Sequence, residues 1–347
     1  MPRRFVKWSR FISAPVATGG IWSSARKNNV ASTIVLTTVT ITNNQADSDN
    51  LGGVDAGNGG GIYNYFGTMT VNNSAGGSIT GNSANNGGGI YSTWDLNTVD
   101  APAGLTVTGS GANGVINTNT AKNNGGGIGI DPNATSAAGT PTIAFSVTIN
   151  GVTLKGNTAN SDASGGGDGG AIFSNGRNSI GTVTLGNTSA LTIGGTAAGE
   201  PNSAVNGGGI AHASGTLSYT NGTITGNNAT GTGGGMFVSG GTVNFLSGLT
   251  IDSNTSTAID GYKQTGGTVT AAGTINFNGG DSIDLAGGTF TSTSAGSSGS
   301  AAPTAGWIAS PSARNDDRCF RDDILAVMRG LDPRIHHFRK DDGLPDQ

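Results

Sequence analysis

Asp168, in the stretch GGGDGGAIF (165–173), and the pair Asp281 and Asp284, in GGDSIDLAGG (279–288), have the types and spacing to do chemistry. Glycine turns that hold Asp oxygens between successive chain turns can ligate calcium, a hard cation that favours carboxylate and carbonyl oxygens. Such sites use tandem copies, so that two turns share one ion. Here each stretch stands alone, which favours solvated turn residues over ligands. No cofactor is expected, and calcium is the one ion these residues would admit. A second constellation is Lys155, Asp162, Asp168 and Arg177, the one place where a charged cleft could assemble. Glycoside hydrolysis requires two carboxylates flanking the scissile bond, and lyase chemistry a basic residue near bound calcium. Within the repeats no two acidic residues are adjacent, and His212 is the only histidine. The expectation is a non-enzyme. A polysaccharide-acting lyase or hydrolase is the alternative, and it needs Asp162, Asp168 and Arg177 in one cleft.

Two other patterns invite a chemical reading. Glycine triplets such as that in GNGGGIYNYFG could cradle phosphate, but no Lys-Ser/Thr follows and no helix does either. The pairs Thr38-Val39-Thr40-Ile41-Thr42, Thr68-Met69-Thr70, Thr106-Val107-Thr108, Thr182-Val183-Thr184 and Thr268-Val269-Thr270 would, if stacked, form a flat Thr face able to bind ice or glycans. Alternating Thr outside and Val inside is also ordinary for any half-buried strand.

The elements that must position these residues are copies of one unit. A glycine run leads into an apolar residue at Ile62, Ile90, Ile128, Ile172, Ile210 and Met236. An apolar residue followed three positions later by Asn recurs at Asn44, Asn82, Asn119, Asn157, Asn227, Asn254 and Asn278. The Asn-to-Asn steps are 38, 37, 38, 70, 27 and 24 residues. The step of 70 holds two glycine motifs and so spans two units, one with a degraded Asn motif around Val183–Ala204. Each unit resolves into three short strands bounded by Gly or Asn turns, with no helical segment between them.

This pattern predicts an all-β chain: a right-handed parallel β-helix, a three-sheet solenoid of about eight coils. The expected organisation is a non-repeat segment at 1–30, the repeat domain at 31–290, a Ser/Gly/Ala-rich linker at 291–313 and a charged, partly helical tail at 314–347. The first segment, MPRRFVKWSRFISAPVATGG, reads as a poor signal peptide or as an amphipathic cap on the array.

Composition narrows the function. Gly accounts for 63 of 347 residues, but registered Ile, Val and Leu argue against disorder. Between Asp47 and Asp284 thirteen acidic residues face only Lys122, Lys155, Arg177 and Lys263, so no basic stripe exists for nucleic acid. The lone cysteine, Cys319, excludes an intramolecular disulfide framework.

The glycine and Asn motifs resemble the GGAI and FxxN repeats of polymorphic outer-membrane proteins and autotransporter passenger domains of bacteria. Gly169-Gly170-Ala171-Ile172 carries the first motif in full, while Ile or Leu stands where that family has Phe. The resemblance covers about residues 37–290. It implies a β-helical surface scaffold with an adhesin-like role, found extracellularly or on the bacterial outer membrane. Its partner would be a host or cell-surface protein or glycan, with membrane association only through an anchor not present in this chain. The string VMRGLDPRIH in the tail is similar to translated intergenic repeat elements.

Overall fold

Each coil starts where a glycine run delivers an inward-facing apolar residue to a short strand. The computed structural model describes residues 20–24, 33–46, 57–65, 67–94, 103–111, 113–131, 144–163, 166–176 and 180–293. The linker beyond 293, the tail at 314–347 and the residues before 20 lie outside the described residues. Among the described residues there is no helix; every paired strand runs parallel to its neighbours, apart from one isolated antiparallel bridge in a turn. The protein is a parallel β-helix.

One coil shows the plan. Strand Ile62–Tyr65 lies in sheet I, Thr68–Asn72 in sheet II and Ser78–Thr80 in sheet III, and Ile90–Thr93 returns to sheet I one level on. Sheets I and II each stack nine strands and sheet III eight. At about 4.8 Å per strand, nine levels make a rod roughly 40 Å long. Sheet I begins at Ile21–Ser24, inside the segment read from sequence as non-repeat, and ends at Ile283–Leu285.

Strand alternation fills the interior. Ile62, Ile90, Ile128, Ile172, Ile210 and Met236 lie in register, one above another, and all are fully buried. Sheet II contributes Met69, Leu105, Val147, Val183, Leu217, Val243 and Val269, and sheet III contributes Ile41, Ile79, Ile116, Leu154, Ile193, Ile224 and Ile251. Like stacked on like at strand spacing gives close-packed columns with little side-chain strain.

The glycines are there because coils approach closely. Gly87 adopts φ +60°, which only glycine takes without strain. A Cβ on Gly88 would fall 2.6 Å from the Gly126 carbonyl oxygen, and closer still to that of Thr120. These glycines are turns, not a phosphate cradle. Level-to-level steps in sheet I run from 21 to 44 residues, so loops vary while the inward column stays in register.

Candidate functional site

The Asn residues form a continuous buried ladder. Asn82 donates its main-chain N–H to Asn119 Oδ1 at 3.0 Å and one Nδ2–H to the same oxygen at 2.9 Å. Its second Nδ2–H goes to the Ile41 carbonyl at 3.0 Å, and its own Oδ1 accepts from Asn44 N and Nδ2. The same side-chain bond continues through Asn119, Asn157, Asn202, Asn227, Asn254 and Asp281. All eight rungs are buried, which such polar groups tolerate only when their bonds are satisfied. The residue before the rung is left-handed at Asn43, Gly81, Thr118, Gly156, Gly226, Ser253 and Gly280, so a one-residue turn aims the side chain into the ladder at every rung except Asn202, which follows Pro201.

Two expectations about this ladder are corrected. Asn202 is a rung that spacing missed, because the segment 194–201 separates it from Ile193. Asn278 is not a rung: it is the exposed end of strand Ile275–Asn278 and lies beside Asp252. Phe277, not Ile275, sits at the level of Ile251, so three positions on from Ile275 falls short of the buried Asp281.

The three Asp residues considered for calcium have different surroundings. Asp168 belongs to a second rank, Asn58, Asn86, Asn124, Asp168 and Asn206, linked by Asn86 Nδ2 to Asn58 Oδ1, Asp168 N–H to Asn124 Oδ1 and Asn206 Nδ2 to Asp168 Oδ1. Burial raises its carboxyl above the ordinary range, against the bonds from Asn206 that lower it. Asp281 ends the main ladder, accepting from Asn254 N and Nδ2; burial pushes it up to about 7. Asp284 is ion-paired with Lys263 on sheet I. Among the described residues no three His, Cys, Asp or Glu side chains come together.

The residues of the enzymatic alternative are partly placed. Lys155 pairs with Glu200 at 2.8 Å, and that contact holds the Glu200 carboxyl below its ordinary value. Arg177 lies outside the described residues, so the cleft with Asp162 and Asp168 is not assembled from what is described. His212 is buried against Ser174 Oγ, 3.2 Å from its Nδ1, and burial holds it down to about 4.

What remains for recognition faces outward. Just after the motif residue, sheet I carries Trp22, Tyr63, Tyr91, Phe173 and Phe237 on its outer side, interrupted by Gly129 and Ala211. Tyr63, Tyr91 and Phe173 are themselves buried, and of the five only Trp22 is exposed. Trp22 and Tyr63 have ring centroids 6.5 Å apart, and Tyr63 and Tyr91 stack at 6.0 Å. Trp22 is 72% exposed, beside an open cavity of about 550 Å³ lined by Tyr63, Tyr65, Gln45 and Asn58. In the sequence these residues stand directly after the glycine motif, as GGIW, GGIY, GAIF and GGMF.

The Thr pairs of sheet II do stack. Outer positions form one rank Thr33, Thr68, Gly104, Ser146, Thr182, Thr216, Thr242, Thr268, Thr289 and a second rank Val35, Thr70, Thr106, Thr148, Thr184, Ser218, Asn244, Thr270, Thr291. Thr38-Val39-Thr40-Ile41-Thr42 is the exception, since Thr40–Thr42 belongs to sheet III. No protein-family model, curated protein or solved structure matches this chain.

Proposed function

We propose that this protein is a secreted or surface-exposed bacterial scaffold, adhesin-like, of the β-helical surface-repeat class. Its ligand is a cell-surface glycan or protein. The observation that carries the reading is Trp22, the exposed end of an otherwise covered aromatic row, beside an open cavity with two amide side chains. Aromatic faces pack against the apolar C–H faces of sugar rings, and amides hydrogen-bond sugar hydroxyls through both donor and acceptor. The cavity therefore favours a neutral glycan over a charged ligand. The polar residues that look most chemical, the Asn ladder, are occupied in holding the coil.

The test is retention of the full chain on arrays of immobilised glycans and cell-surface proteins, alongside Trp22→Ala. Binding that Trp22→Ala abolishes, with an unchanged melting curve, is the expected result. Retention indifferent to Trp22, or release of reducing ends from a polysaccharide, would sink the reading; the second outcome would restore the enzymatic one.

A further inference from the structure

We propose that the outer face of sheet II binds ice: its two ranks of hydroxyls meet a water lattice that is uncharged and periodic in two directions. Thirteen of the eighteen positions are Thr and two are Ser, enough for the ranks to be read as an array. Thr182, Thr216, Thr242, Thr268 and Thr289 run unbroken in one rank, and Thr70, Thr106, Thr148 and Thr184 in the other.

Strand propensity alone would place Thr on any outer face of this coil. It does not explain why, of the three long sheets, only sheet II keeps charge out of its outer ranks. The outer ranks of sheet III include Lys155 and Asp252, and those of sheet I include Lys263 and Asp284. Sheet II has no charged residue among its eighteen positions, although exposed sheet surfaces gain solubility from charge. A charged side chain would disrupt contact with a neutral lattice, and leaving charge out of all nine strands keeps that contact open.

Geometry supplies the periodicity. Hydroxyls repeat about every 4.8 Å across strands and about every 6.7 Å along them, distances set by the sheet itself. The array is thus regular in two directions, as an ice face is. Sheet II has no register shift from its first strand to its last, whereas sheet I slips at Ser174/Asn175. β-Branching restricts each Thr rotamer, so the hydroxyl and methyl positions are fixed before the ice arrives.

The experiment follows fluorescently labelled full chain at the front of a growing ice crystal and scores inhibition of ice recrystallisation. Wild type is expected to enter the ice and slow recrystallisation. The double variant Thr148→Lys, Thr242→Lys is expected to be excluded, with its melting curve preserved. Thr223→Lys, on the outer side of sheet III, is expected to behave as wild type, and so is Trp22→Ala, which separates this face from the aromatic cavity. If the double Lys variant does not fold, Thr148→Tyr with Thr242→Tyr keeps strand propensity while breaking the level of the face. Exclusion of the wild type from ice, or adsorption unaffected by the folded double variant, overturns the proposal. So does retention on crystalline cellulose that the same variant abolishes while ice shows no effect.

Discussion

Asp281 is the acidic rung of an otherwise amide ladder, and its position makes stability depend on pH. Burial pushes its carboxyl up to about 7, so the folded protein holds a proton that the unfolded chain releases near the ordinary value of 3.8. Its contribution is full below that ordinary value and is lost as pH rises through about 7. His212 acts in the opposite sense. Its pKa is held down to about 4, so its contribution is full above 6.5 and is lost as pH falls through about 4. Denaturant unfolding across roughly pH 3 to 9 should therefore show two separable slopes. Asp281→Asn, which continues the amide ladder, should remove the loss on the alkaline side. His212→Gln should remove the loss on the acidic side, since Gln264 already occupies the equivalent inward position two levels on. Profiles of the two variants that superimpose on wild type would show that neither group titrates as described.

At the level of elements, the turn that ends each sheet III strand carries the coil. Replacing Asn157 removes the acceptor for both Asn119 donors and leaves the Ile116 carbonyl without its amide. Several buried groups left unpaired should make Asn157→Ala cost on the order of 3–5 kcal/mol in denaturant unfolding. Asn278→Ala, at an exposed strand end, should stay within about 0.5 kcal/mol. Equal costs would contradict the ladder as described. The sequence made one motif legible and half concealed the other, for a physical reason. The glycines sit directly before the inward Ile, in a close approach that tolerates no insertion, so their spacing never varies. The Asn rung follows a turn that tolerates insertion, so the segment 194–201 hid Asn202. Ile275 and Phe277 both face inward, as any two residues two apart in a strand do, so counting could not choose between them. The aromatic row and the rank containing Asp168 were also in the text, at fixed offsets from each Ile. What spacing could not supply was which Thr pairs share a sheet: Thr40–Thr42 has the same pattern as its neighbours yet lies in sheet III.

As a whole molecule, this is a stack in which each level contacts the levels beside it. Stability in such an array is close to a sum of levels and interfaces, with no distant contacts to lock the ends. The interior of the rod is buried along its length, but at the last levels Ile275, Phe277, Ile283 and Phe290 are only partly covered. Opening should therefore begin at the ends and be most costly in the middle. Residue-resolved hydrogen exchange on the full chain tests the central claim most directly, since inner strands are bonded to the levels on both sides and the end strands to one only. Protection is expected in all three sheets at inward and outward positions alike, highest from Ile128 to Met236 and declining toward Ile21–Ser24 and Thr289–Ser292. Protection confined to one sheet, or as strong in the terminal strands as in the central ones, would contradict a coil-on-coil parallel β-helix.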